Sequence, residues 1–299
     1  MDIKLKVFCT VAETGSFTKT SRIVHLSQPA VSLQIQSLEE FFEAKLFDKT
    51  GKQLNLTQAG KILYEHAKHI LEHHNEVVKE INKLTGSMKG AVEIGASTTL
   101  GNYILPRIIT DFRRIHPKIK IKLRIGNTER VEDLMHSGFV DFGIVEGRPS
   151  RGDTKTEKVI SDHLILAVHP GHALARKKSV SVLDLTREPF IMREQGSGTR
   201  QQIEEFLSRH GLSIQDLHIA LIMGSTESIK AAVEAGNGIA MISRWAVRKE
   251  VEDGRLRTVS LREGGITRDL SLIYPKRHRL SHADKELILF IKNYAYDDF

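Results

Sequence analysis

The hydrophobic pattern changes period near residue 87, and that change divides the 299-residue chain. Residues 1–87 read as helix after helix. Phe8, Val11 and Ala12 recur at helical spacing, and Gly15-Ser16 then breaks the chain, with Ser16 placed to cap a second helix. His25-Leu26-Ser27-Gln28 is a short turn. Ser27 can cap the next helix, whose first turn tolerates Pro29 and whose apolar residues are Ala30, Val31, Leu33, Ile35 and Leu38. Residues 45–57 read as a small hairpin around Thr50-Gly51, and Thr57 caps a long helix that runs to about Leu84.

That helix places Leu63, Ala67, Ile70, His74, Val77, Ile81 and Leu84 at alternating spacings of four and three, the pattern of a coiled-coil seam. The alternative is a helix packed only on its own domain. The N-terminal module is too small to cover so long a seam, which favours pairing with a second chain. Residues 85–90 then form a linker.

Beyond it, strand-like runs appear at 92–95, 119–125, 140–145, 163–168, 190–193, 217–222, 238–242 and 270–274. Helical segments at 100–115, 128–137, 199–210, 226–236 and 283–294 alternate with them, which predicts an α/β fold with mostly parallel sheets.

Composition limits the function. No apolar run is long enough to span a membrane, and the N-terminus has no signal-peptide core, so the cytoplasm is the expected location. A single cysteine excludes an intramolecular disulfide and a cysteine-rich zinc site. The net charge of +7 suits a polyanion partner but is weak evidence for one. Residues 1–90 hold 12 Lys plus Arg against 10 Asp plus Glu, so most of the excess lies elsewhere.

Placement says more than net charge. Residues 18–41 fit a helix-turn-helix, with uncharged hydrogen-bonding residues Gln28, Ser32, Gln34 and Gln36 on the second helix. Gln reads adenine edges in the major groove, and helix N-terminal amides near Ser27 and Pro29 favour a phosphate. Lys19 and Arg22 flank this helix, and Lys45, Lys49 and Lys52 charge the hairpin that follows. Three-helix packings without DNA partners can look similar.

The segment from Ser16 to Gly60 resembles the winged helix-turn-helix of LysR-type transcriptional regulators. The matching residues are Ser16-Phe17-Thr18, Leu26 to Ser32, Gln34-Ile35, Leu38-Glu39, Leu46-Phe47 and Leu56 to Gly60. Thr20-Ser21 stand where the family usually has two alanines, and Leu33 and Asn55 replace common basic residues. Each missing charge removes about one phosphate contact.

The resemblance implies a multidomain α/β architecture. Residues 1–57 would be an all-α winged helix-turn-helix, 58–90 a dimerising linker helix and hinge, and 91–299 a periplasmic-binding-protein-like effector domain. Lobe one would comprise 91–161 and 267–299, and lobe two 162–266. It also implies homodimers or homotetramers on double-stranded DNA, with RNA polymerase as a further partner.

Open α/β sheets bind ligands beyond the carboxyl ends of their strands. There the sequence places Ser97, Thr98 and Thr99, then Thr128, Glu146, Gln195-Gly196-Ser197-Gly198-Thr199, and Thr226. One such hydroxyl group is usually a helix cap; two, one per lobe, point to a ligand. Glycines allow close backbone approach, and helix amides favour an anion.

Ser97 to Pro106 and Gly196 to Arg200 look like the subgroup of sulfite- or sulfate-linked CysL-like and YeiE-like regulators, near the CbbR-like ones. A small anionic effector follows, sulfite or sulfate first. A small organic acid or phosphorylated metabolite is the alternative within the family.

No cofactor and no catalytic residues are expected: the sequence lacks a nucleophile elbow, HExxH, P-loop and CxxC. Glu146 and Glu227 as a carboxylate pair would be the enzyme reading. A stand-alone solute-binding protein is a third class, but it would lack the helical module. His66, His69 and His73 share a helix face yet have no acidic or cysteine companion, so no metal site is expected. His74 on the seam is a register-setting residue whose protonation could loosen a dimer.

Overall fold

The computed structural model describes residues 2–50, 53–84, 90–149, 152–276 and 280–296. The first module comprises α1 (Asp2–Thr14), α2 (Phe17–Val24), α3 (Gln28–Phe41), the antiparallel hairpin β1 (Phe47–Thr50) and β2 (Gln53–Leu56), and the long α4 (Gln58–Leu84). The expected caps are in place. Ser16 Oγ accepts from the Lys19 amide, Ser27 Oγ from Ala30, and Thr57 Oγ1 from Gly60. Gly60 is required by space, since a Cβ there would lie 2.1 Å from the Leu46 carbonyl oxygen. Thr20 is fully buried, and its hydroxyl meets that of Thr14 at 2.8 Å, so the helix-turn-helix accepts a polar residue where alanine is usual.

The expected seam on α4 divides between two faces. Leu63 and Ala67, with Leu71, are buried in the same core as Leu5, Phe8 and Val11. Ile70, His74 and Val77 face outward, and the side chains of Ile81 and Leu84 lie outside the description. The helical twist of 3.6 residues per turn explains the split: spacing of four from Leu63 to Leu71 follows the face toward α1. The uncovered stripe is instead Ile62, His66, Ile70, His73 and Val77, whose apolar members are about half exposed.

The second module opens with β3 (Gly90–Ser97), a single π-helical turn (Leu100–Ile104), α5 (Leu105–Ile115), β4 (Ile119–Gly126), α6 (Thr128–His136) and β5 (Phe142–Glu146). The helix read at 100–115 thus starts wider than an α-helix, and Pro106 sits in the first turn of α5, where its missing N–H costs nothing. Next come β6 (Thr154–Val168), β7 (Ser179–Val180), α7 (Val182–Leu185), β8 (Phe190–Arg193), α8 (Gly198–Arg209), β9 (Ile219–Met223) and α9 (Thr226–Glu234). The module closes with β10 (Ala240–Ser243), α10 (Arg244–Glu252), β11 (Arg257–Leu261), β12 (Ile266–Pro275) and α11 (His282–Lys292).

The expectation of mostly parallel sheets needs correction. β3 pairs in parallel with β4 and β5, and β8 with β9, but β12 runs antiparallel to β5 and β6, and β6 antiparallel to β10 and β11. The reason is connectivity. β6 carries the chain out of the first lobe and β12 returns it, so the two crossing strands run in opposite directions along a shared ladder from Leu164↔Ile266 to Thr154↔Pro275. The first half of β6 is polar and half exposed, so it left no apolar run to read. Separate cores lie on either side of this crossing, around Ile94, Phe112 and Leu272 and around Leu166, Phe190 and Ile203.

Gly60→Ala should destabilise the N-terminal module by about 1–3 kcal/mol, as overpacking against backbone does. Urea unfolding followed by circular dichroism measures this. An unchanged midpoint would mean that the α4 start is not held against Leu46.

Candidate effector cleft and DNA-reading face

Two buried arginines organise the space between the lobes, and neither was among the expected site residues. Arg268 lies on β12 directly opposite Asp162 on β6, and both side chains are fully buried. Its Nε and Nη2 donate to one Asp162 oxygen at 2.8 and 2.7 Å, and Asp162 Oδ1 accepts from Ser243. The remaining donors reach into both lobes: Nη1 to Thr199 Oγ1 at 2.8 Å and Nη2 to Thr99 Oγ1 at 3.3 Å.

Arg193 ends β8. Its Nη1 donates to Thr98 Oγ1 at 2.9 Å and lies 3.5 Å from Thr226 Oγ1, while the Thr98 and Thr226 hydroxyls are 3.3 Å apart. Its other side meets both carboxylate oxygens of Glu194, at 2.7 and 2.8 Å.

The four threonine hydroxyls therefore serve the guanidinium groups rather than helix ends. The capping hydroxyl of α9 belongs to Ser225, and Asn127 caps α6. Thr99 and Ser197 sit at cap positions without making a side-chain cap bond. Ser97 and Glu146 are buried beside each other, and Ser97 Oγ and Glu146 Oε1 make no well-aligned hydrogen bond among the described residues. Burial alone would raise the Glu146 pKa, but Arg268 and neighbouring hydroxyls outweigh it and hold it below the ordinary carboxylate range. Glu146 and Glu227 do not form a pair with shared work: Glu146 faces Arg268, and Glu227 accepts from Tyr103 and lies near Lys230.

The expected site residues separate into two adjacent places. Thr99, Thr199 and Thr226 line, with Arg193, an inner cavity of about 10 Å³, room for roughly one water. Thr128, Gln195, Gly196, Ser197 and Gly198 line an outer cavity of about 380 Å³ together with Arg148 and Arg200. Thr128 has already committed its hydroxyl to the Glu146 carbonyl at 2.7 Å. Gly198 has a different purpose from the expected one. A Cβ there would sit 1.9 Å from the Glu146 carbonyl oxygen, so this glycine lets the lobes touch rather than letting a ligand approach.

Both arginines left a trace in the sequence. Ile266, Arg268 and Leu270 alternate on the buried face of β12, and Arg193 closes the buried run of β8. A charged residue in a core-facing register is informative, because charges are rarely buried without partners.

On the N-terminal module, Lys19, Arg22, Ser27, Gln28 and Pro29 are exposed around the start of α3, and Ser32 is half-buried. Gln34 is half-buried, as Ser32 is. It lies on the flank beside Val31 and Ile35, with Oε1 buried and unpartnered. Leu33, 63% exposed, occupies the outward face instead. Lys49 is on β1 with its side chain outside the description, and Lys52 lies outside the described residues.

Two family models match this chain. Residues 4–61 match the bacterial regulatory helix-turn-helix protein, lysR family, and residues 85–295 match the LysR substrate binding domain. The chain belongs to the LysR family of DNA-binding transcriptional regulators. Its relatives are regulators, not enzymes. The HTH-type transcriptional regulator CysL of Bacillus subtilis is 32% identical over 270 residues, covering 90% of this chain and 89% of that one. The regulator YeiE of Escherichia coli K12 is 35% identical over 280 residues, covering 94% and 93%. The regulatory domain of Synechocystis CcmR, solved in complex with 2-PG, aligns with a TM-score of 0.64 at 26% identity over 70% of this chain and 99% of that one.

Among the described residues of this LysR-family regulator, no helix is long and apolar enough to cross a membrane. No group of three or more His, Cys, Asp or Glu there could hold a metal ion.

Removing one partner of a buried ion pair strands the other, at a cost of about 3–5 kcal/mol. Arg268→Ala should lose stability of that order by urea unfolding, and a loss under about 1 kcal/mol would contradict the assignment. Glu146 adds a pH dependence. Its folded pKa is lowered, so its contribution is complete above the ordinary carboxylate value and disappears as pH falls through the lowered one. Glu146→Gln should flatten the stability profile at pH values below the ordinary carboxylate pKa; an unchanged slope would assign the acid sensitivity elsewhere.

Proposed function

We propose that the effector of this regulator is a small oxyanion, sulfite first and sulfate next, held where the lobes meet. The observation that supports this most is the convergence of Thr98, Thr99, Thr199 and Thr226 on the guanidinium groups of Arg193 and Arg268. Guanidinium groups with hydroxyls beside them suit a pyramidal or tetrahedral oxyanion, and bonds from a charged donor are the strong ones. The inner cavity has room for about one water, so even a small oxyanion enters only as the lobes move apart. Glu194 now fills the outer fork of Arg193 and is partly exposed, so an arriving oxyanion takes its place while the carboxylate turns to solvent.

The outer cavity supports a second reading: a phosphorylated or carboxylated metabolite with its anionic head among the threonines and its body beside Gln195, Gly196, Ser197 and Thr128. The CcmR complex with 2-PG favours keeping it.

Binding changes the angle between lobes and thereby the spacing of paired DNA modules, provided the ligand prefers one arrangement. DNA contact comes from Ser27, Gln28, Pro29 and Ser32, with Lys19, Arg22, Lys49 and Lys52 on the backbone. Leu33 adds an apolar surface suited to a thymine methyl. The protein acts as a homodimer or homotetramer in the cytoplasm, with RNA polymerase as partner. We place the domain limits at residues 57, 90, 161 and 266.

Calorimetric titration with sulfite, sulfate, phosphate, thiosulfate and 2-PG distinguishes the two readings. A sulfur oxyanion should bind, and Thr99→Ala and Thr199→Ala should each weaken it about tenfold, the loss of one charge-assisted hydrogen bond. Binding of the phosphorylated compound alone would favour the second reading; folded variants with unchanged affinity would place the site elsewhere. For assembly, Ile70→Glu with Val77→Glu should convert the dimer to a monomer in light scattering. A variant that remains dimeric would rule out the α4 stripe as the interface.

A further inference from the structure

We infer that α6 couples the effector cleft to the helix-turn-helix, holding lobe two with its first turn and the DNA-reading module with its side and far end. Its nine residues span about 13 Å. At the start, Asn127 Nδ2 donates to Glu194 Oε1 at 3.2 Å and to the Gln195 carbonyl at 3.3 Å, and the Glu129 amide donates to the Gly196 carbonyl at 3.2 Å. All three acceptors belong to the segment of lobe two between β8 and α8, beside Arg193. One turn further on, Arg130 Nη2 donates to the Arg22 carbonyl at 2.6 Å and lies 3.2 Å from His25 Nε2. Those are the last turn of α2 and its left-handed C-cap, the turn that sets the direction of α3. Just past the helix end, Ser137 Oγ donates to Glu13 Oε2 at 2.8 Å. The Glu13 side chain is largely covered and also accepts from Tyr64 on α4.

The sequence makes room for this clasp. A Cβ at Gly126 would lie 2.9 Å from Arg130 Cδ, so glycine there lets the arginine side chain lie across the strand end. Beside the clasp, α6 and the residues after it contribute Val131, Leu134, Met135, Phe139 and Val140 to the apolar cluster that contains Phe8 and Val11 of α1. The contact is nonetheless incompletely filled. A cavity of about 710 Å³ lies between the modules, lined by Cys9, Tyr64, Lys68, Met135, His136 and Lys276 among others. This cavity is open to solvent, so that part of the junction has no packed neighbour to lose on separating. Opening the lobes removes the three bonds at the α6 start, loosens the Arg130 and Ser137 contacts, and frees the helix-turn-helix to re-aim.

Hydrogen exchange on the full-length protein tests this with two variants. Arg130→Ala removes the clasp itself. Asn127→Asp keeps the acceptor that caps α6 but loses both donations to lobe two, and it touches neither α1 nor α2. Both should raise exchange at amides 22–27 about tenfold, the shift in a local opening equilibrium expected on losing a charge-assisted hydrogen bond. Both should also speed labelling of Cys9 by a disulfide reagent, since this thiol is buried beside the junction. The comparison is made where β8 amides keep wild-type protection, which excludes global unfolding. Unchanged exchange at 22–27 in Arg130→Ala would overturn the clasp. A change in Asn127→Asp confined to residues 127–137 would overturn the coupling.

Discussion

The ion pair between Asp162 and Arg268 is the constraint on which the effector module depends. It sits where the chain passes between lobes in both directions, and the two residues are direct partners across the ladder. Burying two charges is expensive, and such a pair adds little net stability over apolar residues. Its value is specificity of register. Sliding β12 by one residue against β6 would turn Arg268 out of the core and leave Asp162 buried without a countercharge. The ladder shifts register between Leu270 and Ser271, two residues beyond the arginine, so the strand is irregular close to the crossing and regular at the pair.

From that fixed point Arg268 extends one nitrogen toward each lobe. Thr99 belongs to the β3 end and Thr199 to the start of α8, so one side chain senses both walls of the cleft. Arg193 repeats the arrangement from lobe two toward Thr98. The charges of Arg193 and Arg268 are balanced by Glu194, Asp162 and Glu146. A ligand must exchange for contacts already made. On this account, binding reorganises hydrogen bonds between lobes instead of filling an empty charge site, which is what links occupancy to shape.

Much of the DNA-reading module was legible because its determinants are local. Ser16, Ser27 and Thr57 cap helices within three residues of themselves, and Gly60 answers to a backbone oxygen close by in the same motif. The hydroxyls at strand ends were legible for the same reason. Arg268 was not, since its importance comes from Asp162, more than one hundred residues away in sequence. Gly198 was read as a ligand-facing glycine because spacing cannot say which backbone will approach it. Only part of the α4 seam packs within the chain: periodicity marks an apolar face without naming its neighbour, and α1 covers Leu63 and Ala67 while Ile70 and Val77 stay exposed.

The central claim is that the arginine and threonine cluster receives the effector. Anomalous diffraction from crystals soaked in selenite, a heavier pyramidal analogue of sulfite, tests it most directly. The account predicts a selenium peak between the lobes, placed so that its oxygens accept from Arg193 and the hydroxyls of Thr98, Thr99, Thr199 and Thr226. A peak elsewhere on the protein, with the cleft unchanged, would contradict it.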